Sequence, residues 1–231
     1  LDGVTLSIQE GEICCLLGTS GSGKSTLLNL MAGLDKPTSG RLMVCGKRID
    51  KMNEKRITIL RQKNMGFVFQ SYNLLPNLTA LENVALPLTF RGVRAKKRRK
   101  VATEMLQAVG LGDRMRHKPT QMSGGQQQRV GIARAFVAKP RIVFADEPTG
   151  NLDSKTTLDV MEMMIRMARE NNLTLVIVTH EAEIASYADT IYSMKDGRIT
   201  KVAKENVHKK TEQENITQRI EEIKKEVQEN L

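Results

Sequence analysis

The stretch GTSGSGKST, residues 18–26, matches the phosphate-loop (P-loop) pattern G-x-x-x-x-G-K-[ST] at every fixed position. Its glycines allow successive backbone N–H groups to turn inward around an anion, and the positive end of the following helix favours the same anion. The stretch therefore predicts a site for the phosphates of a nucleotide. We expect the whole loop to contribute: Gly18, Thr19, Ser20, Gly21, Ser22, Gly23, Lys24, Ser25 and Thr26.

The residues on either side of the P-loop fit this prediction. Residues 12–17 indicate a short buried strand, and residues 25–34 indicate a helix that ends at Gly33. In such a unit the Lys24 ammonium can reach the β- and γ-phosphates, and the Ser25 hydroxyl is available to Mg²⁺. ATP and Mg²⁺ are therefore the predicted cofactors.

The chain is basic. Its 231 residues include 36 Lys and Arg against 26 Asp and Glu, which gives a formal net charge of +10. The densest basic stretch, residues 91–100, contains no aromatic side chain on which bases could stack. Three interpretations stay open: a solvated helix start, a patch near membrane headgroups and a contact with nucleic acid. Its basic residues are Arg91, Arg94, Lys96, Lys97, Arg98, Arg99 and Lys100.

Composition also limits the compartment. A hydrophobic content of 40% is sufficient for a proper core. Cys14, Cys15 and Cys45 lack metal-ligand spacing, and we interpret them as reduced thiols in a cytosolic protein. The sequence shows no run of 18 apolar residues and no signal-peptide pattern. We therefore expect any membrane role to come through a partner.

Strand and helix signals alternate as in an α/β fold. Short apolar strands are predicted at residues 65–69, 142–145 and 173–178, and a helix at 154–171 separates the last two. Between residues 72 and 138 the strand signals stop and helical patterns replace them. This order predicts βαβ connections with a helical insertion.

Two further β-structures are predicted in the first 50 residues. Residues 1–17 indicate two short strands joined by a turn at residues 9–11. Residues 41–49 indicate a hairpin that turns near Gly46.

Four polar residues lie within two positions of the ends of predicted strands. Because the carboxyl ends of parallel strands meet at one edge of a sheet, these residues are candidates for one site. Asp146 can bind Mg²⁺, and Glu147 can accept a proton from an attacking water, although two carboxylates here could also cap the next helix. His180 is a candidate γ-phosphate sensor, with a purely structural role as the alternative. Gln70 can contact Mg²⁺ or the water.

A second phosphate cradle is predicted at the sequence MSGGQ, residues 122–126. A serine and two glycines at the start of a helix present backbone N–H groups as the P-loop does. One chain has no obvious use for two cradles. The simplest arrangement is a head-to-tail pair, in which ATP lies between the P-loop of one copy and this turn of the other. The residues concerned are Ser123, Gly124, Gly125 and Gln126.

The ordered set of motifs resembles the nucleotide-binding subunit of an ABC transporter over residues 1–203. The set comprises residues 18–26, Gln70, Ser123-Gly124-Gly125-Gln126, Asp146-Glu147, Asn151-Leu152-Asp153 and His180. The resemblance implies a P-loop NTPase (RecA-like) core, an antiparallel β-subdomain and an inserted α-helical subdomain at residues 72–138. It also implies ATP-driven closure of a dimer, in which Asp153 contacts the opposite subunit.

A membrane permease is the other partner implied by the resemblance. Its coupling helix would enter the gap near Gln70, which would place the chain on the cytoplasmic side of the cell membrane as a peripheral subunit. Residues 204–231 lie beyond the resemblance. There Ile216, Ile220, Ile223 and Val227 recur at helical spacing, so we expect a polar tail with a short amphipathic helix, which could pair with a partner or stay loosely docked.

Finer features resemble the ABC group that exports macrolides, lipoproteins and antimicrobial peptides. These are GFVFQ at residues 66–70, LTALENV at 78–84, LPL at 86–88, QQQ at 126–128 and PTGNLD at 148–153. Two departures stand out. Met122 replaces the usual leucine, which is a volume-conserving change. The 17 residues before Gly18 contain no aromatic side chain to stack on adenine, and we expect the native chain to supply it N-terminally.

The rival interpretation is a soluble ABC ATPase that acts on nucleic acid or the ribosome. Repair ATPases of this kind insert a long coiled coil between the glutamine and the serine–glycine motif, whereas Gln70 and Ser123 are only 53 positions apart. Ribosomal members carry two cassettes, and this chain has one. We therefore expect no nucleic-acid partner.

Overall fold

The computed structural model describes residues 1–202, in which strands and helices alternate. In chain order the strands are β1 Ile13–Leu17, β2 Met43–Val44, β3 Lys47–Arg48, β4 Met65–Phe69, β5 Ile142–Asp146, β6 Thr174–Thr179, β7 Thr190–Lys195 and β8 Arg198–Val202. The α-helices are α1 Lys24–Met31, α2 Glu54–Asn64, α3 Ala80–Phe90, α4 Ala95–Ala108, α5 Gly124–Phe136, α6 Ser154–Glu170 and α7 Ala182–Ala185. A 3₁₀ turn, Pro119–Gln121, precedes α5.

The main sheet has six strands in the order β4-β5-β6-β1-β7-β8. The first five strands in this order pair in parallel, and β8 runs antiparallel to β7. The carboxyl ends of β4, β5, β6 and β1 therefore lie next to one another along one edge. This is the edge at which open α/β sheets bind ligands.

Every residue of β1 and of β6 is buried, because helices cover both faces of the sheet. Successive residues of β1 point to opposite faces. Cys14 and Leu16 pack in the cluster that contains Leu27 and Leu28 of α1. Ile13, Cys15 and Leu17 pack in the cluster that contains α5 and α6. The P-loop therefore follows a strand that is packed on both faces.

The predicted helical region contains α3, α4 and α5. Helix α3 begins with a capping box, in which the Thr79 side chain and Glu82 bond each other's backbone N–H groups. Helix α5 packs against α3 and also against β4 of the main sheet. A Cβ atom added to Gly66 of β4 would collide with the carbonyl oxygen of Ala135 on α5. This helix therefore belongs to the helical region and to the core at the same time.

Four elements were not predicted, and one predicted strand is absent from the described residues. The helices α2 and α7 and the strands β7 and β8 were not predicted. Helix α2 buries only Ile57 and Leu60, which gives a weak periodic signal. The strand predicted within residues 1–8 is wrong. Val4, Leu6 and Ile8 alternate and pack against the core, but no strand in residues 1–202 pairs with them.

The predicted hairpin near Gly46 is confirmed as the two-strand pair β2–β3. Cys45 and Gly46 both have positive φ values, 50° and 73°, as tight hairpin turns require. Each strand is only two residues long, so within residues 1–202 the small second sheet is limited to this pair.

The basic stretch at residues 91–100 has two parts. The guanidinium of Arg91 donates hydrogen bonds to the carbonyl oxygens of Gln62, Lys63 and Ala138, so it ties the end of α3 to α2 and to the segment after α5. The other basic residues lie at the start of α4, and all except Arg98 are exposed. Their position agrees with a solvated helix start.

The three cysteines are thiols rather than disulfides, and Cys14 and Cys15 are buried. Within residues 1–202 no cluster of His, Cys, Asp and Glu side chains has a geometry for a metal ion. In the same part of the chain, no helix combines the length and the apolar composition needed to cross a membrane. The predicted tail helix at residues 204–231 lies outside the described residues.

Replacing Gly66 by alanine should destabilise the protein, since the new methyl group would meet backbone rather than a flexible side chain. We expect a loss of about 2 kcal/mol or more in the free energy of unfolding, measured by urea denaturation. Gly112→Ala is the control, because there the nearest atom belongs to the flexible Gln107 side chain. Equal effects of the two substitutions would contradict the close contact between β4 and α5.

Candidate nucleotide site

The P-loop joins β1 to α1 and curls around the Lys24 side chain. The Lys24 ammonium is largely buried and donates hydrogen bonds to the carbonyl oxygens of Gly18, at 2.7 Å, and Thr19, at 2.9 Å. Gly23 caps the helix with a φ of 102°, which favours glycine. The loop is therefore already closed around the Lys24 ammonium, and backbone groups form its outer surface.

The donors of this loop fit a phosphate group. The N–H groups of Lys24, Ser25 and Thr26 open α1 and have no partner within the helix. The Ser22 hydroxyl is buried and has no hydrogen-bond partner among the described residues. Unpartnered donors beside a lysine at a helix start are what a polyphosphate requires.

Asp146 ends β5 beside the P-loop. The Ser25 hydroxyl lies 3.5 Å from its Oδ1 atom, so the two predicted Mg²⁺ ligands are neighbours. Burial raises the pKa of the Asp146 carboxyl, and the nearby charge of Glu147 raises it further. A carboxylate that is poorly solvated and faces a second carboxylate is a favourable place for a cation.

Glu147 has an unusual backbone conformation. Its φ is 45°, in the left-handed region that non-glycine residues rarely occupy. Its N–H donates to the carbonyl oxygen of Val178 at 2.9 Å. Nδ1 of His180 lies 3.0 and 3.1 Å from the two carboxylate oxygens. The structure therefore brings the predicted base and the predicted γ-phosphate sensor into direct contact.

Gln70 follows β4, at the end of the same edge. Its carbonyl oxygen accepts a hydrogen bond of 3.0 Å from the Asn151 side chain. A Cβ atom added to Gly150 would come within 2.6 Å of the Gln70 Nε2 atom. The Gln70 segment is therefore packed against the segment that follows Glu147.

The Ser123 turn forms the N-terminus of α5 with a complete capping box. The Ser123 side chain accepts the Gln126 N–H at 3.3 Å, and the Gln126 side chain accepts the Ser123 N–H at 3.0 Å. Gly124 and Gly125 also allow neighbouring side chains to pack closely against the turn. A Cβ atom at Gly124 would lie 2.8 Å from the Tyr72 hydroxyl, and one at Gly125 would lie 2.6 Å from a Thr156 methyl.

Asp153 caps α6 within its own chain. Its carboxylate accepts the N–H of Thr156 at 3.0 Å and the Thr156 hydroxyl at 2.7 Å. The hydrogen bond from the Thr156 backbone is the main reason that the pKa of Asp153 is lowered. Thr156 in turn packs on Gly125, so Asp153 and the Ser123 turn lie in one surface region.

The two cradles are well separated within one chain. The P-loop follows β1, whereas α5 packs against β4, and both β5 and β6 lie between these strands. Three strand spacings correspond to about 14 Å. Across the described residues no hydrogen bond joins residues 123–126 to residues 18–26. A single chain therefore places Asp146, Glu147 and His180 near the P-loop, with Gln70 further along the same sheet edge, and within residues 1–202 no hydrogen bond brings the Ser123 turn to the P-loop.

Two contacts of the site were not predicted from the sequence. Arg134 of α5 is partly buried, and its guanidinium donates to the carbonyl oxygens of Tyr72 and Asn73. Both of these residues have positive φ values, 60° and 47°. Asn73 was the available signal, since asparagine tolerates the left-handed region. Gln128, also on α5, bonds to the carbonyl oxygen of Pro148, next to Glu147.

Comparison with known proteins agrees with this geometry. The family model described as "ABC transporter" matches residues 1–150. The chain belongs to the ABC transporter family. An uncharacterized ABC transporter ATP-binding protein of Thermotoga maritima is 49% identical over 90% of this chain and 88% of its own length.

Relatives of the predicted exporter group are also found. The lipoprotein-releasing system ATP-binding protein LolD of Geobacter metallireducens is 47% identical over 86% of this chain and 88% of its own length. The macrolide export ATP-binding/permease protein MacB of Brucella melitensis is 47% identical over 90% of this chain. The match spans only 32% of that longer MacB protein.

A solved structure supports the assignment of fold and activity. The ATP-binding cassette MJ0796, described as a dimer in a post-hydrolysis state bound to ADP and Pi, superposes with a TM-score of 0.79 and 43% identity. The match covers 87% of this chain and 89% of that one. The chain is an ABC transporter ATPase with the α/β fold of a P-loop NTPase, and both predictions are confirmed.

The raised pKa of Asp146 gives a prediction for stability. Because the native pKa lies above the unfolded value, ionised Asp146 destabilises the nucleotide-free protein at neutral pH, and this effect disappears as the pH falls below about 4. Asp146→Asn should therefore raise the free energy of unfolding at pH 7.5 by up to about 1 kcal/mol. The gain should shrink as the pH is lowered, and Mg²⁺-dependent turnover should be lost.

Urea denaturation at several pH values measures this effect. Asp159→Asn is the matched control, because Asp159 is exposed and its ion pair with Arg129 is long, at 3.9 Å. If Asp146→Asn lowered the free energy of unfolding at every pH, ionisation of Asp146 would not be destabilising in the native protein.

Proposed function

We propose that the chain is the MgATP-hydrolysing subunit of a membrane export or mechanotransmission system. Two copies form a head-to-tail dimer around two MgATP and drive an integral membrane permease. The subunit lies on the cytoplasmic side of the membrane and is held there by the permease. The transported molecule is recognised by the permease and belongs to the class of macrolides, peptides or lipoproteins.

The separation of the two cradles is the observation that carries the dimer proposal. Each cradle is built in the same way, from glycines and the free N–H groups of a helix start. The Ser123 turn lies on α5, at β4, while the P-loop lies at β1. A second copy that presents its Ser123 turn to the P-loop would complete each site, as a symmetric pair requires.

The roles proposed within the site follow from the contacts. Lys24 and the start of α1 would bind the phosphates, and Ser25, Asp146 and Gln70 would hold Mg²⁺. Bound Mg²⁺ neutralises phosphate charge and so lowers the barrier to phosphoryl transfer. Glu147 would accept a proton from the attacking water, and His180, within 3.1 Å, would orient its carboxylate and sense the γ-phosphate.

The names of the relatives support the transport role. LolD belongs to a lipoprotein-releasing system, and the chain spans most of its length. MacB combines an ATP-binding part with a permease, and the chain covers the equivalent of about a third of it. We infer that this chain works with a separate or adjoining permease segment of the same kind. The gap between the Gln70 segment and the helical region is the proposed entry for its coupling helix.

Glu147→Gln should bind MgATP, lose hydrolysis and accumulate as a dimer. The amide keeps the size of the side chain but cannot accept the proton of the attacking water. We expect kcat to fall by at least about 100-fold, and light scattering should give twice the monomer mass in MgATP but not in MgADP. A protein that stays monomeric at saturating MgATP would count against the sandwich.

A pair of substitutions at Ser123 distinguishes its proposed role at the phosphates from its role as the N-cap of α5. Both Asp and Asn can cap α5, but only Asp brings a negative charge to the phosphates. Ser123→Asp should therefore abolish dimerisation and turnover while MgATP binding to the single chain is unchanged. Ser123→Asn should dimerise at higher MgATP concentrations. If Ser123→Asp also removed binding to the monomer, Ser123 would belong to the site of its own chain.

A pull-down from membranes tests the permease. The Glu147→Gln variant, trapped with MgATP, should retain an integral membrane protein that wild-type protein in MgADP releases. Stimulation of wild-type turnover by DNA, RNA or ribosomes, without such a membrane partner, would favour the nucleic-acid interpretation instead.

A further inference from the structure

Gln128 lies on α5, five residues after Ser123, and its side chain is fully buried. Its Nε2 atom donates a hydrogen bond to the carbonyl oxygen of Pro148. Pro148 directly follows Glu147. Gln128 therefore connects the helix of the Ser123 turn to the segment that carries the proposed catalytic base.

The contact is not one that stability alone would favour. The Oε1 atom of Gln128 is buried and has no hydrogen-bond partner among residues 1–202. Burying Oε1 without a partner is unfavourable, and this cost offsets what the hydrogen bond of Nε2 contributes to stability. Because Gln128 contributes little to the stability of the protein at this position, we expect it to have a functional role.

The segment that Gln128 holds is strained. Glu147 has a φ of 45°, and such conformations persist only where the surroundings hold them. On one side its N–H is held by the carbonyl oxygen of Val178, at 2.9 Å. On the other side, Gln128 fixes the carbonyl group of Pro148, one peptide further along. Together these bonds restrain the backbone on both sides of the Glu147 Cα atom.

We propose that Gln128 is a positioning residue that couples the two nucleotide sites of the dimer. This inference rests on the proposed function. The Ser123 turn meets the nucleotide bound by the partner copy, and α5 is a rigid helix that places Gln128 about 7.5 Å along its axis from that turn. A displacement of the turn is therefore transmitted through Gln128 and Pro148 to Glu147. Each subunit aligns its own base only when its turn has engaged the partner's nucleotide.

The test compares two neighbouring glutamines. Gln128→Met removes the amide and keeps the length of the side chain. Gln127→Met is the matched control, since the Gln127 amide bonds at 3.1 Å to the Met122 carbonyl oxygen, within its own helix start. For Gln128→Met we expect kcat to fall about 10- to 100-fold, with KM changed less than about 3-fold. The melting temperature should shift by less than about 3 °C, because removal of the buried, unpartnered Oε1 offsets the loss of the donor to the Pro148 carbonyl oxygen.

The control should keep kcat within about 2-fold of the wild type. A Gln128→Met protein with near wild-type kcat would overturn the inference. So would parallel losses of kcat, ATP affinity and melting temperature, because these would assign Gln128 to general stability.

A double substitution tests whether Gln128 acts through Glu147. Single-turnover hydrolysis by Glu147→Gln should not be lowered further by Gln128→Met, since the base that Gln128 positions is already absent. The double variant should also dimerise at the same MgATP concentration as Glu147→Gln. Additive losses would overturn the coupling. Failure of Glu147→Gln itself to dimerise would overturn the composite site, and the coupling with it.

Discussion

Parallel pairing of β4, β5, β6 and β1 is the constraint on which the rest of the structure depends. It brings Gln70, the pair Asp146 and Glu147, His180 and the P-loop to one edge, although these residues are spread over more than 150 positions of the chain. The strands are fixed in turn by burial on both faces, because β1 and β6 consist entirely of buried residues. The chemistry of the site is therefore a consequence of sheet order.

Helix α5 is the second organising element, because it belongs to two parts of the molecule. Its N-terminus is the Ser123 turn, its buried face packs against β4, and its side chains bond the segments that follow Gln70 and Glu147. A helix with these connections cannot shift without affecting both segments. This gives a physical basis for communication between a surface turn and a site that lies across two intervening strands.

Much of the fold and of the site could be predicted from the sequence. The strands β1, β5 and β6 are continuous apolar runs, and polar residues at strand ends indicated the site edge. The short helix α2 and the strand β7 could not be predicted, since their packing depends on distant partners. The run of three glutamines shows the limit: Gln126 caps α5, Gln127 bonds to Met122 and Gln128 is buried. Only the fold distinguishes them.

The central claim is that each P-loop is completed by the Ser123 turn of another copy. Cross-linking between two differently tagged chains, both carrying Glu147→Gln, tests this claim most directly. One chain carries Ser20→Cys at the P-loop and the other carries Gln126→Cys at the turn, with Cys45→Ser in both. We expect a short thiol-reactive linker to join unlike chains in MgATP and not in MgADP. Cross-links between like chains only, or equal yields with either nucleotide, would contradict it.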